Sequence, residues 1–406
     1  MNCILDIVYH SLYTNVKDDK NYQIKRKVTS MEENEITIFN SEFDIPMVSA
    51  ETNDDTIEIR NMKLCEAVDV VRLIYQCYGH TYFYKNFYFP EHIAEFNERG
   101  VMKSLVAVNK LGEIIGHMTL FKNESIGNVA LSGTKEDCKL GEPSMVMVRP
   151  DYRNRGILTR MMNWVLNEDF SYTESLSGLF SPPISEHVYS QLAMYKCGFK
   201  DCGCLLGNYP PAEIKDISNK QAQRISLVLT YYSLQNQKNN IIYPPNQHRK
   251  IILDIYDNLG MVPNWKEPQF HYDGQSDKET SLIKTKMVPK LNNATIKVNK
   301  YGIDIVECIK KEMKELLTKN TEAILLYLSL NDPLTYKFTG QLERLGFFFA
   351  GVLPATTIGD ALILQYINVS HFNYDNIQVA SKKAKEILNY VRKCELTARR
   401  LVRLVG

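Results

Sequence analysis

The spacing of apolar positions changes along the chain, and each change marks an element. TIEIR (56–60) alternates as a half-buried strand does, and EAVDVVRLIYQCY (66–78) repeats apolar residues at helical spacing. HTYFYKNFYFP (80–90) is a dense aromatic loop closed by Pro90, and EHIAEFNERG (91–100) predicts a helix ending on Gly100. SLVAVN and IIGHMTLF, joined by KLGE, read as a hairpin with glycine in its turn. SMVMV is a short strand stopped by Arg149-Pro150, and GILTRMMNWVLNEDF an amphipathic helix. SLSGLFSP is a strand, and SEHVYSQLAMYKCGF a helix closing on Gly198. CGCLLGNYP and RISLVLTYYSL are two further strands. The predicted order is β-α-α-β-β-β-α-β-α-β-β, an α/β (α+β) chain with a mixed sheet and helices on its faces.

After QNQKNN, a linker by composition, a second pattern begins. QHRKIILDIYDNLG is a helix, SLIKTKMV and ATIKVN are strands, DIVECIKKEMKELLTK is a helix and AILLYLSL a strand. TYKFTGQLERLGFFFAGVL runs from helix into strand, and ALILQYIN is a final strand. MYKCGFKDCGCLLG and QLERLGFFFAGVLP each end a helix on Gly-Phe and pass straight into a strand, so the second half looks like a partial copy of the first. ASKKAKEILNYVRKCELTARRLVRLV is a helix, basic along one side. That side is either a solvated face or a surface for an anionic partner. The expected divisions are an extension over 1–55, a first domain over 56–235, a second over 236–372 and the basic helix over 373–406.

Composition narrows the class. At 406 residues the chain is long for one core, which predicts two domains. A net charge of +1 gives no bulk attraction to nucleic acid or membrane. The nine cysteines are odd in number and form no CxxC pair, so neither a metal site nor a disulfide framework is expected. The N-terminus lacks a basic leader and no apolar run is long enough to span a bilayer, which predicts a cytoplasmic protein.

The chemistry concentrates at VRPDYRNRGILTRMM (148–162). Arg149-Pro150 holds the backbone extended, Gly156 permits a tight turn, and the helix from Ile157 offers unpaired N–H groups with Arg153 and Arg155 beside them. Such a turn is either a pyrophosphate site or a basic cap on a helix. It resembles motif A of the GNAT superfamily, the acyl-CoA-dependent N-acyltransferases, with Arg153, Gly156 and Ile157 on the motif and Leu158 where a small residue is usual. CYGHTYFYKNFYFP, GHMTLF, YSQLAMYKCGF and the LGFFFAGVLP…DALILQYIN end resemble a bacterial subgroup of that superfamily, so the likeness covers most of 57–370. It implies a GNAT fold followed by a degenerate GNAT-like half and a C-terminal helix.

The resemblance implies acetyl-CoA as co-substrate. Main-chain groups of Met147 and Val148 would bond its pantetheine arm. Backbone N–H groups of Arg153, Asn154, Arg155, Gly156, Ile157 and Leu158 would hold its pyrophosphate. Tyr195, one residue after the family's usual tyrosine position, or Tyr189 would protonate the leaving thiolate; each could equally be packing. The acceptor would be an amine, on a small molecule or a protein. Amine attack needs a base, directly or through water. Glu142, just before the central strand, is the first candidate, then His117 and His187, each of which could instead be structural. The oxyanion would meet a strand N–H near Val148. Tyr78, His80, Tyr82, Tyr84, Phe87 and Tyr88 would form either an apolar acceptor wall with polar tips or a packed lid. The second half has NKYGIDIV where an RNRG turn would stand, so it is expected to cover the first domain, complete the acceptor cleft or mediate a homodimer. The alternative to an enzyme is an acyl-CoA-sensing or partner-binding protein.

Overall fold

The computed structural model describes residues 56–82, 84–124, 138–167, 173–211, 223–235, 240–269, 280–369 and 372–405. The expected extension over 1–55 lies outside them. The first half runs β1 (Glu58–Asn61), α1 (Ala67–Tyr78), α2 (Pro90–Glu98), β2 (Met102–Val108), β3 (Ile114–Lys122), β4 (Leu140–Val148), α3 (Ile157–Asn167), β5 (Gly178–Ser181), α4 (Tyr189–Lys196), β6 (Lys200–Tyr209) and β7 (Ile225–Ser233). This is the element order predicted from the apolar pattern. A two-residue ribbon follows, β8 (Ile241–Ile242) with β9 (Asn264–Trp265), enclosing α5 (Arg249–Leu259). Then come β10 (Leu282–Val288), β11 (Asn293–Lys300), α6 (Ile305–Thr318), β12 (Ala323–Ser329), α7 (Pro333–Glu343), β13 (Phe348–Thr356), β14 (Gly359–Ile367) and α8 (Lys382–Val405).

Twelve strands form one sheet in the order β1-β2-β3-β4-β5-β7-β6-β13-β14-β12-β11-β10. Its two parallel pairs are β4/β5 and β11/β12. Each is bridged by a helix, as a parallel crossover requires. The path β3-β4-α3-β5-α4-β6-β7 and the path β10-β11-α6-β12-α7-β13-β14 therefore trace the same strand order with the same directions. The paths meet at β6 and β13, which pair at Gly203↔Gly351. A Cβ on Gly351 would lie 2.6 Å from Gly203 Cα and 2.7 Å from the Cys202 carbonyl, so only glycine lets the backbones approach there.

Helices cover both faces of the first half. α1 and α2 bury Val70, Leu73, Ile74, Ile93 and Phe96 against Met102, Val106, Phe121, Met145 and Met147. On the opposite face α3 and α4 bury Ile157, Met161, Met162 and Met194 against Leu105, Ala107, Ile115 and Leu179. Removing one such side chain, as in Ile74→Ala, costs roughly 2–5 kcal/mol. The C-terminal helix α8 packs across both halves, on β6 and β13, through Ile387, Leu388 and Val391, leaving Lys382, Lys385, Arg392, Lys393 and Arg400 exposed. No described helix is long and apolar enough to cross a membrane.

Candidate active site

β4 and β5 pair only at Leu140↔Gly178 and Gly141↔Leu179. Beyond Gly141 they diverge, and among the described residues no strand pairs with that edge of β4. The divergence coincides with a break in β4 itself. Met145 has φ +49° and the register with β3 slips between His117 and Thr119. A left-handed non-glycine residue in a strand is a strained bulge that re-aims backbone groups. The result is a cleft whose wall is polar main chain ending at Val148.

The turn after Val148 is tightly specified. Tyr152 N–H donates to the Arg149 carbonyl at 2.9 Å, and Asn154 and Gly156 are left-handed at φ +64° and +69°. Two left-handed residues so close to the start of α3 turn the chain sharply, and the first N–H groups of that helix lack intrahelical acceptors. A Cβ on Gly156 would meet nothing within 4 Å, so the space over this N-terminus is open. Leu158 is half-buried and packs toward the α3 core rather than into that space. These features fit the pyrophosphate of acetyl-CoA: backbone donors, the positive end of a helix dipole and room for an anion.

The arginines divide their tasks. Arg149 is held by Asp151 at 2.8 Å and Glu113 at 3.1 Å. Arg149 and Arg155 both lie over the Tyr152 ring, each 4.6 Å from its centroid, which keeps Arg155 at the mouth of the turn. Arg153 folds back along the cleft, its Nε 3.4 Å from the Val148 carbonyl, which also accepts from the Cys77 thiol at 3.5 Å. Burial and then the Arg153 charge hold the neighbouring His187 imidazole below its ordinary pKa. Its Nδ1 is buried without a hydrogen-bond partner, and its ring lies 5.5 Å from that of Tyr189. Tyr189 is 63% exposed at the start of α4. His187, from the segment leading out of β5, thus stands near Arg153, with Tyr189 beside its ring.

Glu142 lies deeper on β4 and is 3% exposed. Burial pushes its carboxyl up to about 7, against a 2.5 Å hydrogen bond donated by Asn123. Its negative charge reaches Tyr82 and Tyr209, whose buried phenols are raised well above the ordinary value first by burial. The aromatic loop divides in two. Tyr78, Tyr82, Tyr84 and Phe87 form an inner chain with successive centroids 5.0, 6.2 and 6.0 Å apart. His80 and Tyr88 pack outside with Tyr75, and the Tyr88 hydroxyl donates to the Gly79 carbonyl at 2.7 Å while accepting from Tyr82 N–H at 3.0 Å. Within the inner group Tyr82 lies near Glu142, and the outer pair fastens the loop.

Two of the residues expected to do chemistry have structural partners here. His117 is fully buried between the Met145 carbonyl at 3.1 Å and Ser104 Oγ at 3.3 Å, and burial drives its pKa down to about 4. The Tyr195 hydroxyl donates to Asp201 at 2.6 Å, and the same carboxylate accepts from Ser381 at 2.5 Å, tying α4 to the start of α8. Asn123, Cys77 and Tyr209 were not legible as site residues. Asn123 follows β3 in a plain LFKNE run, and Tyr209 reaches Glu142 only because β6 and β7 fold back beside β5.

Residues 58–195 match the family model for the acetyltransferase (GNAT) domain. None of the curated proteins compared matches the chain. Among solved structures, ribosomal-protein-S5-alanine acetyltransferase from Vibrio fischeri aligns with 46% of this chain and 98% of its own, at 15% identity and TM-score 0.34. yncA from Salmonella typhimurium, solved with its cofactor acetyl-CoA, aligns with 45% of this chain and 95% of its own, at 12% identity and TM-score 0.34. An N-acetyltransferase from Staphylococcus aureus Mu50 covers 44% of this chain and 99% of its own, at 15% identity and TM-score 0.33. Likenesses that low add nothing to the family match. Residues 58–195, about a third of the chain, carry an acetyltransferase domain of the GNAT superfamily, a class that uses acetyl-CoA as co-substrate.

Proposed function

We propose that the protein moves an acetyl group from acetyl-CoA to a primary amine by direct attack, with both substrates bound together and Glu142 as general base. The observation that carries this is the Glu142 carboxyl, buried beside Tyr82 and Tyr209 and pushed up to about 7 by that burial. A base with a pKa near the working pH is present in its ionised form and still accepts a proton well. GNAT acetyltransferases act on amine acceptors, and a lysine-like amine must lose a proton before it attacks.

Acetyl-CoA supplies the activated acetyl group. The chain supplies the rest. The turn from Arg153 to Leu158 holds the phosphate end through backbone N–H groups, with Arg155 at its mouth. Met147 and Val148 present main-chain groups to the pantetheine arm, and Arg153 and Cys77 give up the Val148 carbonyl when that arm enters. Tyr78, Tyr82 and Tyr84 wall the acceptor, and Glu142 takes its proton directly or through one water. Tyr189 is the better-placed proton donor for the leaving thiolate, because the Tyr195 proton is committed to Asp201. Fixing the reactants in this geometry supplies much of the rate.

The second half is read as a degenerate GNAT-like domain that supports the acceptor side. The shared strand order and the absence of an arginine pair in NKYGIDIV favour this reading. So does Lys290, which donates to Asn86 of the aromatic loop at 3.2 Å. The test is thiol release from acetyl-CoA across a panel of primary amines, polyamines and lysine peptides, with product mass measured. One amine that is acetylated catalytically supports the reading. Tight acetyl-CoA binding with no turnover on any of them points instead to an acyl-CoA sensor.

A further inference from the structure

The two halves also meet away from the β6/β13 junction, one residue from the group that holds Glu142. β3 ends at Lys122, and the chain runs on through Asn123 and Glu124, both buried. Asn123 N–H donates to the Leu140 carbonyl at 3.0 Å, which keeps this segment beside the start of β4. The Asn123 side-chain amide donates to the Glu142 carboxylate at 2.5 Å. The next side chain leaves the first half: Glu124 pairs with Lys297 of β11.

Lys297 is 8% exposed and Glu124 4%. Thr357, in the β13–β14 turn, completes the group. Its hydroxyl donates to Glu124 at 2.8 Å and accepts from Lys297 at 2.7 Å, and its N–H donates to Glu124 at 2.6 Å. Burial pushes the Glu124 carboxyl up, but Lys297 and the Thr357 donors outweigh it and hold it below the usual range. A buried ion pair is costly unless its geometry is fixed, and here β11, the β13–β14 turn and the end of β3 fix it. Adjacent residues cannot move independently, since one rigid peptide unit joins their Cα atoms. Asn123 is thus held on one side by Leu140 and on the other by its clamped neighbour. A hydrogen bond to a carboxylate is strong only when short and aligned, which such holding secures. Burial disfavours the ionised form of Glu142, and the Asn123 donor favours it. The Tyr82 phenol of the aromatic loop and the Tyr209 phenol of β6 also act on Glu142, and burial keeps both neutral.

We infer that Lys297 is a positioning residue for Glu142: it clamps Glu124, the clamp holds the neighbouring Asn123 amide on the Glu142 carboxylate, and the second half thereby fixes the geometry of the base in the first. Lys297 touches no reacting atom and acts only through Asn123. Its meaning for catalysis rests on the reading of Glu142 as the base; the coupling of Lys297 to the carboxyl does not.

The test follows the Glu142 carboxyl carbon against pH by carbon-13 NMR of the full chain with labelled glutamate, the signal being assigned by its loss in Glu142→Gln. Lys297→Met cuts the clamp but strands the Glu124 charge. Glu124→Met with Lys297→Met cuts it without an unpaired charge, an exchange that buried pairs commonly tolerate; melting temperatures are measured alongside. Both variants should raise the Glu142 midpoint above the wild-type value of about 7, by roughly 0.5–1 pH unit, and move the rising limb of kcat/KM with it. Lys297→Arg still donates to Glu124 and should keep the wild-type midpoint. Asn123→Ala should also raise it, and Lys297→Met should add little in that background, because effects that pass through one residue do not sum. An unmoved midpoint in the double methionine variant overturns the inference. So does a shift confined to Lys297→Met, which would be the stranded charge alone, or a shift that sums with that of Asn123→Ala. A midpoint that moves while the kinetic limb stays supports the clamp and removes Glu142 as the base, so the two readings fail separately.

Discussion

A carboxyl group with the ordinary glutamate pKa is ionised at neutral pH and is a poor proton acceptor there. Burial makes Glu142 different, and the same burial has a cost in stability. The group ionises near pH 4.3 in an unfolded chain and at about 7 in the fold. Between those values the folded state holds a proton that the unfolded state has lost. Stability from this group is therefore complete below about pH 4.3 and falls as pH rises through about 7, by an amount on the order of 3 kcal/mol. Glu142→Gln cannot ionise and escapes that fall. Its melting temperature should exceed wild type at pH 8 and match it at pH 5; equal differences at both pH values would mean the carboxyl is not held in its neutral form. Tyr195 gives the opposite kind of residue. Tyr195→Phe removes a hydrogen bond to Asp201 and should cost about 1–2 kcal/mol in denaturant unfolding, with kcat within twofold of wild type. A large loss of kcat at unchanged stability would return Tyr195 to the chemistry.

In the proposed mechanism, cofactor binding is decided at the turn into α3. Gly156→Ala puts a side chain at φ +69°, which strains the backbone by roughly 1 kcal/mol. Because the space above is open, the loss should appear as misaligned N–H donors rather than as a steric block. Acetyl-CoA affinity, measured by calorimetry, should fall several-fold for Gly156→Ala and at least tenfold for Arg153→Ala with Arg155→Ala. Unchanged affinity in the double variant would make the turn a helix cap and nothing more. This turn was readable because its chemistry is local: Pro150, Arg153, Arg155 and Gly156 within seven residues. The neighbouring strand was not. SMVMV marks only the apolar end of β4, whereas the strand begins at Leu140, carries Glu142 and Pro143, and bulges at Met145. Hydrophobic alternation fails there because tertiary packing, not the period of two, sets the faces.

At the scale of the molecule, β6 and β13 join the two strand paths edge to edge at the registered pair Gly203↔Gly351. Gly203 and Gly351 each stand five residues after the glycine of a Gly-Phe helix end, Gly198 and Gly346. The sequence shows that symmetry but not its consequence, that β6 and β13 pair and merge the paths into one sheet. QNQKNN reads as a linker, and nothing in residue order predicts that the strands on either side of it become continuous. Gly351→Ala should overpack this junction and destabilise the chain by roughly 1–3 kcal/mol, seen as a lower thermal midpoint. A neutral result would mean that the backbones separate there without penalty. Ion-pair partners drawn from distant segments were hidden for the same reason. Lys297 finds Glu124 across 173 positions of sequence, and Arg224 finds Glu322 across 98.

The most direct measurement is the pH dependence of kcat/KM for acetyl transfer, with the acceptor amine found in the panel, in wild type and Glu142→Gln. The proposed mechanism requires the wild-type profile to rise through a pKa near 7 and the Glu142→Gln profile to lose that limb, with turnover lower by roughly 10²-fold or more and acetyl-CoA affinity unchanged. A Glu142→Gln enzyme that keeps both the limb and the rate would remove Glu142 as the base.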